Sequence, residues 1–138
     1  MLFETLREEG FEIGVHFVSD RKIAHLNEHY LQHNGPTDVI TFDYSESATS
    51  APRPLNMSLT GDVFIGVEEA ARQARVFNTR WQEEVVRYII HGILHLQGFD
   101  DKQPAKRRKM KREENRLFRM LLRRFPLSRS PAELKLGV

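Results

Sequence analysis

The stretch HGILHLQGFDD, residues 91–101, places two histidines four positions apart and two aspartates shortly after them. On a helix, residues i and i+4 lie on one face, so His91 and His95 can direct their rings at one ion. The glycine that follows can end the helix and let the chain return Asp100 or Asp101 as a third ligand. Two histidines, one carboxylate and an open position form a catalytic zinc arrangement, which also suits manganese, nickel or iron. The pattern favours a metal site over histidines that only form hydrogen bonds in the core.

Gly92 bears on the reaction that such a site would catalyse. In zinc peptidases of the HExxH type, a glutamate follows the first histidine and acts as general base. Gly92 has no side chain, so either a metal-activated water acts without a carboxylate base or the base comes from elsewhere in the chain. The first option is feasible because a metal can lower the pKa of bound water to about 7. Gly92 therefore weakens the peptidase interpretation and leaves hydrolysis of an activated ester such as a phosphodiester.

The composition narrows the class of protein. A chain of 138 residues with 40% hydrophobic residues fits one domain spanning 1–138. The absence of cysteine excludes disulfides and thiolate zinc sites. No apolar run approaches the roughly 20 residues that span a bilayer, and the acidic N-terminus lacks the features of a signal peptide. We expect a cytoplasmic protein with no membrane association and no disulfide-linked partner.

The charges are distributed very unevenly. Residues 1–101 carry 8 Lys/Arg and 16 Asp/Glu, whereas residues 102–138 carry 13 Lys/Arg and 3 Asp/Glu. Basic charge concentrated in one segment indicates a polyanionic partner, although a solvated helix face is the alternative. The densest run comprises Lys106, Arg107, Arg108, Lys109, Lys111 and Arg112. These six side chains are candidates for binding a phosphate-rich partner such as RNA, because lysine and arginine neutralise phosphates.

Hydrophobic periodicity and turn residues predict strands and helices in mixed order. The predicted strands are 11–19, 38–42 and 61–67, and the predicted helices are 20 to about 32, 68 to about 78, about 80 to 96, and 104 to about 124. Asp20 is predicted to cap the first of these helices. The segment 45–58, rich in Ser, Ala and Pro, is predicted to be a long loop. The pattern indicates an α+β or α/β fold with a small sheet.

The two C-terminal helices are predicted to have different roles. Helix 80–96 is apolar on nearly all sides, so we expect it to be central and buried, with the His-x3-His metal pair on it. Helix 104–124 has an apolar stripe formed by Met110, Leu117 and Leu121, and its other faces are basic. A short tail follows that helix.

Three ordered motifs resemble those of the YbeY family of metal-dependent endoribonucleases. HGILHLQGFDD is similar to the family signature HGxLHLxGxDH. LNEHYLQHNGPTDVITF, residues 26–42, is similar to LN..YR.KD..TDVLSF, and GDVFIGVEEAARQA, residues 61–74, is similar to GD(I/V).IS...A..QA. The resemblance covers roughly residues 11–120 and is more specific than any one motif.

The resemblance implies an α+β fold with a small mixed sheet packed with helices, one zinc ion per chain, and cleavage of single-stranded RNA. It also implies a role in ribosomal RNA processing, including the 3′ end of small-subunit rRNA, and in ribosome biogenesis, with RNA and the ribosome as partners. By position, His91 and His95 match the first two metal histidines and Asp101 falls on the third. Asp100 is a candidate for orienting a ligand histidine, or else a surface acid.

Two departures from the family pattern concern the chemistry. The third metal histidine is Asp101 here, which preserves the number of ligands but changes their charge. The arginine that follows the motif tyrosine is Leu31 here, and His33 or Arg53 are candidates to replace it. Thr37 and Asp38 match the family motif and either line the cleft or serve only as turn and cap residues.

Three functions remain open from the sequence. The main hypothesis is a metal-dependent endoribonuclease in which the metal activates water, with the protein base unknown. The first alternative is a metal-dependent hydrolase of a non-RNA substrate, such as a peptidase. The second is a non-catalytic ribosome-assembly binding protein with a structural metal.

Overall fold

The computed structural model of the chain describes residues 12–31, 35, 37–44 and 59–127. In chain order the elements are β1 (Glu12–Val18), α1 (Asp20–Tyr30), β2 (Val39–Asp43), β3 (Thr60–Gly66), α2 (Val67–Phe77), α3 (Trp81–Leu96) and α4 (Pro104–Arg124). All seven predicted elements are present, with ends that differ by one or two residues. The predicted loop 45–58 and the C-terminal tail lie outside the described residues.

The three strands form a small mixed sheet with β3 in the centre. β1 pairs with β3 in parallel, with Val15 opposite Val63. β2 pairs with β3 antiparallel, with Ile40 opposite Phe64. Side chains alternate between the two faces of a strand, so the odd-numbered residues of β3 face one helical layer and the even-numbered ones face the other. The α+β class with a small mixed sheet is therefore confirmed.

Helix α3 lies at the centre of the molecule and contacts β2, β3, α2 and α4. One core cluster joins it to the sheet and to α2, and contains Val63, Ile65, Ala70, Val85, Tyr88 and Leu96. A second joins it to α4, and contains Ile90, Ile93, Leu94, Met110, Leu117, Phe118 and Leu121. The predictions of a buried α3 and of an apolar stripe on α4 are both confirmed. Because α3 is packed on two sides, residues on its remaining face have fixed positions.

Helix α1 covers part of the opposite sheet face, and its N-cap lies one residue earlier than predicted. Ser19, not Asp20, is the N-cap, since its hydroxyl accepts a hydrogen bond from the backbone N–H of Lys22. Asp20 lies in the first turn and pairs with Arg72 at 2.7 Å. Because the hydroxyl of Ser19 accepts from a free N–H group of the first turn, the carboxylate of Asp20 remains available to pair with Arg72 of α2.

Two residues shape the connection that follows α3. Gly98 has φ of 99°, a left-handed conformation that glycine adopts without steric cost. The backbone N–H groups of Gly98 and Phe99 donate to the carbonyls of His95 and Leu94 at 3.0 Å, which ends the helix there as predicted. Pro104 then opens α4 at its first position. The chain between them passes back beside the end of α3.

Within the part of the chain that the structure describes, no helix is long and apolar enough to cross a membrane.

Candidate metal centre and its cleft

Three donor atoms meet beside the C-terminal half of α3. The Nε2 atoms of His91 and His95 lie 3.1 Å apart, and Oδ2 of Asp101 lies 3.6 Å and 3.7 Å from them. A tetrahedral zinc ion with bonds of about 2.0–2.2 Å holds its ligand atoms about 3.3–3.6 Å apart. The three distances bracket this range, so the triangle is close to the size that one such ion needs. Among the described residues this is the one group of acids and histidines with metal-ligand spacing.

The second nitrogen of each ring fixes the orientation of the first. Nδ1 of His95 lies 3.1 Å from the carbonyl oxygen of Phe99, which can only accept. Nδ1 of His91 lies 3.0 Å from Oε1 of Glu114. A proton on each Nδ1 directs the two Nε2 lone pairs at each other, which is repulsive unless a proton or a cation lies between them. This pattern of hydrogen bonds is the one that orients histidines as metal ligands.

Glu114 is a functional candidate that the sequence analysis missed. Its side chain is only 6% exposed, and Lys111 donates to it at 2.8 Å. Burial opposes its ionisation, but the hydrogen bonds from His91 and Lys111 lower its pKa to about 2. The signal was present in the sequence, because Glu114 is a charged residue on the apolar stripe of Met110 and Leu117. A buried acid on such a stripe indicates a specific partner.

The two ligand histidines differ in their protonation. Burial lowers the pKa of His95, and the charge of His91 lowers it further, so this imidazole is neutral near pH 7. Burial also opposes protonation of His91, but the hydrogen bond and charge of Glu114 outweigh it and raise the pKa of that ring. His91 is therefore the ring that can carry a proton between the two Nε2 atoms when no cation does so. A metal would displace that proton.

The two aspartates of the motif have different surroundings. Asp101 faces both histidines, and its carbonyl oxygen accepts a hydrogen bond from Nε of Arg107 at 3.0 Å. Asp100 accepts from the backbone N–H of Lys102 at 2.8 Å and lies 4.0 Å from Nζ of Lys106. The Nδ1 atoms of the two histidines contact Glu114 and the carbonyl of Phe99, and not Asp100. The structure places Asp100 as a residue of the turn.

Gly92 faces the sheet and not the metal centre. A Cβ atom there would lie 2.6 Å from Cγ1 of Val63, closer than real side chains pack, and 3.1 Å from Cγ2 of Thr41, tighter than most contacts. The helix and the sheet approach so closely at this point that only glycine fits. A glutamate at this position would displace the sheet and still point away from the ligand atoms.

A cleft of about 300 Å³ opens beside the metal centre. Its walls come from the residue before β2, from α3, from the connection between α3 and α4, and from α4. They consist of Asp38, Glu84, Arg87, Tyr88, His91, Asp101, Arg107, Met110, Lys111 and Glu114. Three of these side chains are cations and four are carboxylates, and Glu114 pairs with two of the cations, Arg87 and Lys111. Arg87 is held by Asn115 at 2.9 Å and by the ring of Phe118, 4.0 Å from its centroid. Arg87 precedes His91 by four positions. This spacing was the signal in the sequence that places Arg87 on the same face of the helix as His91.

The six predicted RNA-binding cations fall into two groups. Arg107 and Lys111 contact Asp101 and Glu114 beside the metal centre, and Lys106 lies near the turn residue Asp100. Arg108, Lys109 and Arg112 are exposed on the outer faces of α4. The outer group lines two shallow grooves of about 390 and 480 Å³, together with other basic side chains of the same helix. Basic charge thus extends from the cleft over the surface of α4.

Other candidates from the sequence lie elsewhere. Leu31 is the C-cap of α1, 41% exposed, and is not a lining residue of the cleft. His33 and Arg53 lie outside the described residues. Thr37 and Asp38 form a turn, with Asp38 accepting from the backbone N–H of Val39 at 2.8 Å. Asp38 also lines the cleft, so the turn interpretation and the cleft interpretation both hold for it.

Comparisons with known proteins agree with this geometry. A sequence model of the family described as Endoribonuclease YbeY matches residues 2–122. The chain belongs to the YbeY family. A YbeY relative from Parabacteroides distasonis, named Endoribonuclease YbeY, is 42% identical over 118 residues, which cover 86% of this chain and 77% of the relative. One from Bacteroides fragilis with the same name is 45% identical over 109 residues, covering 79% and 72%.

A solved structure shares the YbeY fold described above. The solution structure of TM1509 from Thermotoga maritima aligns with a TM-score of 0.55 and 25% sequence identity, covering 94% of this chain and 90% of that protein. The similarity extends over the whole arrangement of sheet and helices. The resemblance stated from three motifs is therefore confirmed.

Proposed function

We propose that this protein is a zinc-dependent endoribonuclease that cleaves single-stranded RNA. One observation carries the proposal: the triangle of His91, His95 and Asp101 is close to zinc-ligand dimensions and opens on a cleft whose α4 side carries Arg107 and Lys111. Membership of a family described as endoribonucleases supports RNA as the substrate. Metal-assisted hydrolysis of a phosphodiester requires the metal and the phosphate at the same place, and the cleft offers ligands for the one beside cations for the other.

The protein's own residues prepare the cleft for this reaction. When bound, zinc supplies Lewis acidity and lowers the pKa of a water molecule that it holds. Glu114 accepts a hydrogen bond from Nδ1 of His91. This hydrogen bond keeps the Nε2 lone pair of His91 directed at the position of the ion. Arg107 and Lys111 are placed to neutralise the phosphate, and Arg107 also holds the backbone of the ligand Asp101. No carboxylate base stands at position 92, and the steric contact of Gly92 with Val63 explains why.

The cellular role that we propose is ribosomal RNA processing, including the 3′ end of small-subunit rRNA. The family resemblance supports this role, as does the basic surface of α4, which suits a structured polyanion such as the ribosome. The proposed location is the cytoplasm, where such substrates occur. No base-reading aromatic motif of the RNA-recognition type is present in the sequence.

The test combines elemental analysis with cleavage assays on the purified protein. We expect about one zinc per chain and cleavage of single-stranded RNA that a chelator abolishes and added zinc restores. Casein and peptides serve as the matched substrates for the peptidase alternative, and we expect no hydrolysis. Chelator-sensitive peptide hydrolysis without RNA cleavage would overturn the proposal. Stoichiometric metal with neither activity would favour the ribosome-assembly alternative with a structural metal.

A further inference from the structure

The cleft beside the metal centre adjoins two further depressions of opposite charge. On one side, a cavity of about 410 Å³ shares Asp38 and Glu84 with the cleft, is also lined by Glu69, and has no cation among the described residues of its wall. On the other side, a groove of about 390 Å³ on α4 shares Lys111 with the cleft. A strand of RNA can leave the cleft towards either depression, and the charges of the two walls differ.

The groove beside Lys111 leads to another groove on the same helix. The near groove is lined by Arg108, Lys111, Arg112 and Asn115. The far groove, of about 480 Å³, shares Arg112 with it and is also lined by Phe99, Lys109, Glu113, Arg116 and Arg119. Lys111 thus connects the cleft to the near groove, and Arg112 connects the near groove to the far groove. The three depressions form one path that crosses the outer face of α4.

Four cations along this path have no acidic partner. They are exposed and form no ion pair or hydrogen bond with the described residues: Arg108, Lys109, Arg112 and Arg119. Arg116, in contrast, pairs with Glu113. Like charges three or four positions apart on a helix repel each other. The spacing of Arg112 from Arg108 and Lys109 is therefore unfavourable unless an anion lies between them.

The helix dipole also opposes this arrangement of charge. Helices α1, α2 and α3 each carry acids in the first turn, which suit the positive N-terminal end of a helix. Helix α4 has no acid in its first turn and carries four consecutive cations at positions 106–109. The stability of the isolated helix does not account for these cations, whereas a bound polyanion would.

We propose that single-stranded RNA leaves the cleft on one side only, across α4, where about four of its phosphates are held; the inference rests on the proposed function. The four unpaired cations give this number, since each can neutralise one phosphate. On the other side of the cleaved bond, the carboxylates of Asp38, Glu69 and Glu84 repel phosphate, so that part of the strand is not held. The contacts with RNA are therefore asymmetric about the cleaved bond.

The first test measures kcat/KM for RNAs that keep one mapped cleavage site and are extended on one side of it at a time. The extensions run from one nucleotide upwards, on the 5′ side or on the 3′ side. We expect kcat/KM to rise over about the first four added nucleotides on one side, one for each unpaired cation, and to stay constant on the other. Equal gains on both sides, or no gain on either, would overturn the inference.

The second test uses Arg119→Gln, because Arg119 lines only the far groove. The probe is a labelled oligodeoxyuridylate of about eight nucleotides, twice the number of phosphates expected on the path, and its binding to the zinc-loaded protein is followed by fluorescence anisotropy. Loss of one phosphate contact should make the slope of log affinity against log salt concentration shallower by about 0.7.

Arg123→Gln is the matched control for this measurement. It removes an exposed cation one turn farther along α4 that lines neither groove. Its slope should equal that of the wild type. Equal slopes in the two variants would contradict the path.

Cleavage of short and long RNAs by Arg119→Gln separates the path from a general attraction. An RNA with a single added nucleotide ends before the far groove, so Arg119→Gln should cut it as fast as the wild type does and should cut the extended RNA more slowly. Equal losses for both RNAs would overturn the inference.

The same measurements distinguish this inference from the proposed function. RNA cleavage that responds neither to length nor to Arg119→Gln would leave the nuclease and overturn the path. Binding of the strand that depends on Arg119, without cleavage of RNA, would support the path and overturn the nuclease. Binding of polyglutamate in place of nucleic acid would make α4 a surface for an acidic protein and overturn the inference.

Discussion

Single side chains determine whether the candidate metal centre works. The decisive contact is between the two histidine Nε2 atoms, 3.1 Å apart, because hydrogen bonds at Nδ1 direct both lone pairs at one point. His91 and His95 are visible in the sequence as a helical i, i+4 pair. Glu114 is not, since it follows His91 by 23 positions and meets it only through the packing of α4 on α3.

We expect Asp101 to be the third metal ligand. Asp101→Ala should lose much of its metal, whereas Asp100→Ala should lose less because its carboxylate contacts Lys102 and Lys106. Asp101→His should keep stoichiometric metal, since imidazole and carboxylate each donate one lone pair at about 2.0–2.2 Å from zinc. Its activity at neutral pH should be equal or higher, because the site gains one unit of positive charge.

The measurement is metal per chain after dialysis against a weak chelator. Full occupancy in Asp101→Ala, or loss confined to Asp100→Ala, would assign the ligand to the other aspartate.

Glu114→Gln should weaken zinc binding by about 10–100-fold, the usual effect of removing a residue that orients a ligand histidine. The amide keeps the size of the side chain but removes the charge that holds the proton on Nδ1 of His91. Glu113→Gln is the matched control, because Glu113 is the adjacent acid and pairs with Arg116 at the surface. Competition with a chromophoric chelator measures the affinity. Equal affinity in the two variants would remove Glu114 from the metal centre.

At the scale of the elements, sequence periodicity predicted the helices well because their patterns are local. The apolar surface of α3, the stripe of α4 and the stop at Gly98 all follow from neighbours along the chain. The relative placement of helices is not local, so the contact of Glu114 on α4 with His91 on α3 was not predicted. The cap of α1 was assigned to Asp20, yet Ser19 has that role, since either side chain can cap and the pairing with Arg72 depends on α2.

Helix α4 should bind RNA through its outer cations near the cleft. Replacing Arg108 and Arg112 by glutamate should weaken RNA affinity and reduce its dependence on salt, while metal content remains unchanged. The matched control reverses Arg123 and Arg124, which changes the charge of the same helix by the same amount at its far end. Filter binding at several salt concentrations is the measurement. Equal effects of the two pairs would indicate a general attraction, and no effect of either would indicate a solvated face.

At the scale of the whole molecule, the charges divide the surface into an acidic body and a basic helix. The cleft lies where they meet, with Asp38 and Glu84 on one wall and Arg107 and Lys111 on the other. The sequence predicted the imbalance between residues 1–101 and the remainder. It did not predict that the boundary coincides with the metal centre, because this depends on how α4 packs against α3.

Acid should destabilise the folded protein through Glu114. Its pKa is lowered from 4.5 to about 2, so its contribution to stability is complete above about pH 4.5 and is lost as the pH falls towards 2. The urea midpoint should therefore fall over this range in the wild type and fall less in Glu114→Gln. Glu113→Gln, with the acid removed from the surface, should follow the wild type. Parallel curves for wild type and Glu114→Gln would contradict the shift.

The hydrogen bond between His91 and Glu114 joins the metal centre to the helix that carries the basic surface. Binding at one place therefore changes the equilibrium at the other, and the change must be reciprocal. Under the proposed function, a metal ion that fixes His91 would also strengthen the contact of α4 with α3, so occupancy of the metal centre and affinity for RNA should rise and fall together. In a cell short of zinc, the protein would then lose affinity for its RNA substrate as well as catalytic activity. Metal-free protein would then bind RNA weakly and would leave the substrate accessible to the metal-loaded protein.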